Sequence, residues 1–149
     1  MAGPGNPLVA QGVLNRIRGS VVWANFSALN VTAPYLDKEG INLRLEGEMS
    51  MQHGTMSGIV QSPEPYVPVS VVIALLKTQA LSDSYKTQFE ANAVLGPGTV
   101  WPDVSTGLSQ FNLHNMSIQS VGDLLFNGTT PIFAVTCRGF YLVNSSIWN

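Results

Sequence analysis

Polar and apolar residues alternate at the start of the stretch 41-INLRLEGEMSMQHGTMSGIVQ-61. Ile41, Leu43, Leu45, Met49 and Met51 fall on one parity; Asn42, Arg44, Glu46, Glu48, Ser50 and Gln52 fall on the other. A period of two is the mark of a strand with one buried and one wet face. His53-Gly54 supplies a turn, because glycine accepts positive φ without steric cost, and Thr55 to Gln61 returns as a second strand. The expectation is a long ribbon whose polar face carries much of the charge in the chain. A two-stranded ribbon is marginal in water by itself, so it needs the rest of the domain or a neighbouring copy.

The surrounding composition points the same way. Charged residues make up 11% of the 149, against roughly 25% in an ordinary soluble domain, and mean hydropathy is +0.18. So little charge favours a chain that buries much of its surface against other chains; the alternative is a small Gly- and Ser-rich domain that is simply uncharged. A net charge of −2 leaves no basic footprint for nucleic acid. The longest near-apolar run, Val67 to Leu76, is too short for a membrane-spanning helix of ~20 residues. MAGPGNPLVAQG lacks the charged start and apolar core of a signal peptide. Cys137 stands alone, so no internal disulfide is expected. Without an export signal, the Asn-x-Ser/Thr triplets at Asn25, Asn30, Asn115, Asn127 and Asn144 read as chance in a Ser/Thr/Asn-rich chain.

The length suits a single domain, residues 1–149, preceded by a Gly- and Pro-rich flexible arm over residues 1–12. Ser20 to Phe26 reads as a strand, and Ala33-Pro34 with Asp37-Lys38-Glu39-Gly40 as the loop before the ribbon. Ser62-Pro63-Glu64-Pro65 is a rigid extended connection. Tyr66 to Lys77 is apolar on both parities, as in a central strand covered on both faces, with Pro68 near its start where a missing N–H is tolerated. Leu81, Tyr85, Phe89 and Ala93 recur every four residues and predict one helix over about 82–95, with Ser82 as N-cap, Asp83 in the first turn and a Lys86–Glu90 pair. Gly96-Pro97-Gly98 is expected to stop it. Thr99 to Val104 is a short strand. In the next, the parity of Phe111 and Leu113 slips to that of Met116 and Ile118, which predicts a bulge at His114-Asn115. Asp123 and Asn127-Gly128 mark turns, and Ile132 to Val143 is the last long strand, with Phe133, Val135, Cys137, Tyr141 and Val143 on one face. Trp148, at the end, is expected to pack on the body or on the next subunit. Strands, one helix and then strands imply a mainly β chain: an antiparallel sandwich or barrel with one flanking helix.

Chemistry is sparse. His53 and His114 show no metal-ligand spacing, so no metal site is expected. Glu46 and Glu48 share a strand face with Arg44, which suits a solvated face better than a carboxylate pair for acid–base work. The glycines at 54, 58, 96 and 98 lack the strand–loop–helix setting of a phosphate cradle. Cys137 reads as an inert core thiol. No catalytic residue and no cofactor is assigned, and an enzyme is the last of the functional readings.

The whole chain resembles the tail tube proteins of contractile-tailed bacteriophages. Three segments carry the resemblance: PLVAQGVLNRIRGSVV with LNVTAPYL and INLRLEGE; SPEPYVPVSVVIALLKTQALSDSYKTQFEANAVLG; and GFYLVNSSIWN. It implies a small β-sandwich that forms hexameric rings, stacked into a hollow tube inside a contractile sheath, with inner hairpins paired into a ring-wide barrel. Type VI secretion tubes are built of related rings. The implied partners are copies of the chain, the tail sheath protein, baseplate and neck or terminator proteins, and genomic DNA passing through the lumen without specific binding. The implied place is the virion, after assembly in the host cytoplasm. On this reading Asn42, Arg44, Glu46, Glu48, Ser50 and Gln52 line the lumen, and two Glu to one Arg make it mildly repulsive to DNA. Leu8 in the arm, His53 and Gly54 in the expected turn, and Ile147 and Trp148 at the end are candidates for contacts between stacked rings. The alternatives are a tube-initiating or terminating protein of the same fold, or a β-sandwich binding module. A carbohydrate-binding module would group exposed aromatics on one face, whereas Trp23, Trp101 and Trp148 are scattered along the sequence.

Overall fold

The computed structural model describes residues 19–102 and 108–148. The arm expected over residues 1–12, Leu8 within it, and the end of the strand expected to reach Val104 lie outside the described residues.

Strand β5 (Tyr66–Leu76) is the centre of the sheet. Its double apolar parity has the expected outcome: Val67, Val69, Val71, Ile73 and Leu75 are buried on one face, Ser70 and Ala74 on the other. On one side it pairs without a register break with β8 (Ile132–Leu142), from Tyr66↔Leu142 to Leu76↔Ile132. On the other it pairs with β2 (Leu36–Leu45). With β1 (Gly19–Trp23), β6 (Val94–Pro102) and β7 (Phe111–Val121), these form one six-stranded antiparallel sheet in the order β1-β6-β7-β8-β5-β2. The sheet curls into a half-barrel, as twisted strands do when one face is apolar throughout. The fold is therefore mainly β with a single helix among the described residues, as the sequence pattern requires.

The inner face of the curl holds the core, drawn from Val21, Trp23, Leu95, Leu113, Met116 and the inward parities of β5 and β8. The bulge expected in β7 is present: register slips between His114 and Ser117, and Asn115 takes φ +52°, a conformation asparagine tolerates. The slip lets both Leu113 and Met116 point inward.

Helix α1 (Ala80–Ala91) covers one end of this core through Leu81 and Tyr85. It starts and stops earlier than expected. Gln79, not Ser82, is the N-cap; Ser82 is buried and its hydroxyl donates to the Leu76 carbonyl at 2.7 Å, tying the first turn to the end of β5. The helix ends at Ala91 because Asn92 turns extended (φ −162°) and its Oδ1 accepts the Val94 N–H at 3.1 Å. Gly96-Pro97-Gly98 then lies inside β6 instead of stopping the helix. Gly98 is required there by close approach: a Cβ at that position would sit 2.5 Å from Cε3 of Trp23. The Lys86–Glu90 pair forms at 3.1 Å, on the exposed side. The strand expected over Ser20 to Phe26 ends at Trp23, and a 3-10 turn, Ser27–Leu29, follows. Residues 37–40, expected as a loop, form a bulge within β2, whose register jumps from Leu36↔Leu75 to Ile41↔Ile73.

The ribbon is the main correction. β2 runs only to Leu45 and pairs with β5. The hairpin consists instead of β3 (Ser50–Thr55) and β4 (Gly58–Pro63), which form a separate two-stranded sheet. Its register is His53↔Val60, Gly54↔Ile59 and Thr55↔Gly58. The turn is therefore Met56-Ser57, and His53 and Gly54 are strand residues. The break falls at Gly47, where the chain crosses the start of β5. A Cβ there would lie 3.1 Å from Pro68 Cδ and 3.2 Å from Val67 Cγ1, and the Glu46 N–H donates to the Pro68 carbonyl at 2.8 Å. The apolar parity consequently splits: Ile41, Leu43 and Leu45 pack against the core, while Met49 and Met51 are 46% and 51% exposed.

Candidate assembly surface

The outer face of the half-barrel carries two polar rows that run across four strands. Arg44 on β2 stands beside Ser70 on β5, Arg138 on β8 and Ser117 on β7. Asn42, Val72, Thr136 and Ser120 form the next row. Directly opposed residues on neighbouring strands share a face, so this is one continuous face, polar apart from Val72, with Arg44 and Arg138 flanking the buried Ser70. Arg138 donates to the Glu46 carboxylate across the end of β2. An ion pair this exposed is worth at most about 1 kcal/mol, so its effect is on the charge pattern rather than on stability.

Of the residues expected on one polar strand face, Asn42 and Arg44 lie on this surface and Glu46 at its margin; all three are exposed. Glu48 sits in the bend, and Ser50 and Gln52 lie on the detached hairpin, also exposed. The structure thus brings the first three together and separates the last three from them. It also adds Arg138, which sequence reading passed over because the apolar parity of its strand defined the core. The two-to-one excess of Glu over Arg holds for residues 41–52 alone; with Arg138 the balance is two Arg to Glu46 and Glu48.

Two edges bound the sheet. β1 has part of its free edge covered by a bridge, Val21↔Val31, with N–H···O distances of 3.0 and 2.8 Å. β2 has no strand beyond it among the described residues. An uncovered edge is a row of unpaired N–H and C=O groups, the usual template for pairing with another chain.

The hairpin projects from this framework with every residue of β3 exposed. Ile59 and Val60, which point to opposite faces of the ribbon, are both exposed. Its base is clamped: the Asn144 side-chain amide donates to the Met49 and Glu64 carbonyls, each at 2.8 Å, and Trp148 Nε1 donates to the Pro63 carbonyl at 3.1 Å. Trp148 and Ile147 thus lie at the hairpin root, both still half exposed or more. The structure groups them with the hairpin that carries His53 and Gly54.

Two buried side chains hold their protons tightly. Burial pushes the Cys137 thiol up to about 12, so it stays protonated at neutral pH. Burial also raises the Tyr85 phenol, against the lowering effect of its hydrogen bond with Trp23. His114 stacks on Phe140 at 5.6 Å, and Tyr66 meets the other flank of Phe140 edge-on at 5.7 Å. Among the described residues no group of three or more His, Cys, Asp or Glu is placed to hold a metal ion, and no helix is long and apolar enough to cross a membrane.

No protein-family model matches the chain, and no curated protein matches it in sequence.

Proposed function

We propose that the chain is a structural subunit that assembles with copies of itself into stacked hexameric rings, forming a hollow tube of the kind found in contractile phage tails. The observation that carries the reading is the combination of a β2 edge with no strand beyond it among the described residues and a projecting hairpin that leaves apolar side chains on both faces in water. In a monomer both are liabilities; in a ring, edge-to-edge pairing closes the sheet and removes its edges. The polar rows that include Arg44 and Arg138 then form the lumen wall. Glu46 pairs with Arg138 at the margin of this wall, which leaves Arg44 as the one surplus cation of the two rows; so small a positive charge suits a duct through which DNA slides, because each unpaired Lys or Arg contact would hold a phosphate by counterion release. The sheath, baseplate and neck proteins contact the outside and ends of such a tube, and the virion is where it resides. Sedimentation velocity on the purified chain over a wide concentration range tests this. Species at ring mass and above are expected; a monomer at every concentration, with or without a tube-end protein as initiator, counts against the reading.

A second reading has one feature in its favour. Tyr66, Phe140 and His114 group three rings on the outer face, as a carbohydrate-binding sheet would. Saturable binding to a glycan array that is lost in Tyr66→Ala would favour it.

A further inference from the structure

The loop between β7 and β8, residues 122–131, is an exposed apolar feature with a built frame. Leu124, Leu125 and Phe126 are consecutive and exposed, Phe126 at 89%. The loop is nonetheless fixed in shape. Asn127 Oδ1 accepts from the Thr129 N–H at 3.0 Å, the Thr129 hydroxyl at 3.2 Å and the Thr130 N–H at 2.8 Å. Lys77 Nζ donates to the carbonyls of Leu125 and Thr130, and lies 5.6 Å from the centre of the Phe126 ring. An exposed aromatic carried on a backbone held in one shape has part of its ordering cost already met, which favours it as an interface anchor.

A matching hole exists on the same chain. Where β1 and β6 curl towards β2, the mouth of the half-barrel leaves a cavity of about 450 Å³, walled by Ile41, Leu43, Val100 and Phe111, with Asp37, Lys38 and Glu39 at its rim, two carboxylates against one ammonium. A cavity of about 150 Å³ is enough to hold a benzene ring in a protein core, so this one has room for Phe126 and a flanking leucine. The rim also suits the base of the loop. An ammonium has three donors; two on Lys77 are directed at loop carbonyls, which leaves one for a rim carboxylate.

We propose that Phe126 of one copy inserts into the barrel-mouth cavity of a second copy, with Lys77 facing Asp37 and Glu39 of that copy. The inference rests on the self-assembly reading and names one contact that would build the assembly. Loop and cavity are different surfaces, so the contact is head-to-tail and each copy keeps a free half for the next, the condition for a ring or a filament.

The test is disulfide trapping in the full chain. Leu124→Cys, exposed and leaving Phe126 in place, is combined with Leu108→Cys, an exposed position at the cavity, and the concentrated protein is oxidised by copper–phenanthroline in air. The native Cys137 is buried and does not compete. A non-reducing gel should show a ladder of dimer, trimer and higher forms, with each single variant giving dimers at most. Phe126→Asp, a surface change that leaves the core intact, should raise the concentration needed for assembly by roughly tenfold or more. Assemblies in the ultracentrifuge without a ladder overturn this contact while leaving self-assembly standing. A monomer throughout overturns both. Closed dimers alone, or trapping that requires removal of residues 1–18, would assign the cavity to a two-fold pair or to that segment, and would likewise overturn it.

Discussion

Tyr85→Phe removes one oxygen atom from the centre of the molecule. Tyr85 is 0% exposed and Trp23 1%. The phenol accepts the indole N–H of Trp23 at 2.9 Å and donates to the Leu29 carbonyl at 2.7 Å, so it joins α1, β1 and the 3-10 turn in one chain of hydrogen bonds. Phenylalanine keeps the ring and its packing. What is lost is two hydrogen bonds, and what remains is a buried indole N–H and a buried carbonyl without partners. Each orphan costs about 1–3 kcal/mol, giving a loss of about 2–6 kcal/mol from a total stability of about 5–15 kcal/mol. At about 2–4 °C per kcal/mol for a domain of this size, the melting midpoint should fall by roughly 5–25 °C. Urea titration followed by far-ultraviolet circular dichroism measures it, with an unchanged m-value showing that the native fold persists. The double variant Tyr85→Phe/Trp23→Phe adds a control: once the indole donor is gone too, the losses must be less than additive. A single-variant loss below about 1 kcal/mol, or full additivity, refutes the network as the link between helix and sheet.

Other consequences are direct. Gly98→Ala places a methyl 2.5 Å from the Trp23 ring and should destabilise by about 1–3 kcal/mol, read by the same titration. Stability should be flat from neutral pH to about 9 and then fall. Cys137, ordinarily 9.0 and here about 12, and Tyr85, ordinarily 10.0 and here higher, hold their protons more tightly when folded. Their contribution is therefore complete below the unfolded values and is lost as pH rises through the folded ones; Cys137→Ala should reduce the slope that begins near pH 9. Asn144→Ala removes both amide donors from the hairpin base, and hydrogen exchange should accelerate across residues 50–63 with the rates in β5 unchanged. In assembled protein, Glu46→Gln combined with Glu48→Gln leaves Arg44 and Arg138 without carboxylates and should make it retain duplex DNA at 50 mM but not 200 mM salt, since phosphate binding of this kind is steeply salt-dependent. Equal retention at both salts would sink the lumen assignment.

Sequence pattern made the frame legible wherever one physical rule acted unopposed. β5 shows its double burial in its apolar run, α1 its inward stripe at Leu81 and Tyr85, and β7 its bulge in the phase slip at Asn115. It misled where a local signal met a tertiary one. Gly96-Pro97-Gly98 has the chemistry of a helix stop, but the glycine at 98 is there to admit the Trp23 ring, a contact set 75 residues away in the chain. Alternation through residue 52 suggested one long strand, because nothing local to Glu46-Gly47-Glu48 shows that Gly47 packs on Pro68. With the break at Gly47, the turn falls at Met56-Ser57 instead of His53-Gly54, and Met49 and Met51 face outward. Arg138 was invisible for a different reason: a residue on the solvent parity of a core strand gains meaning only when register places it beside Ser70 and within reach of Glu46.

The most direct measurement is cryo-electron microscopy of the concentrated protein. The account predicts hollow stacked rings in which Arg44, Ser70 and Arg138 face the lumen and the β3–β4 hairpin lies against a neighbouring subunit. Rings or tubes whose lumen is lined instead by α1, with the Arg44–Arg138 surface turned outward, would contradict it.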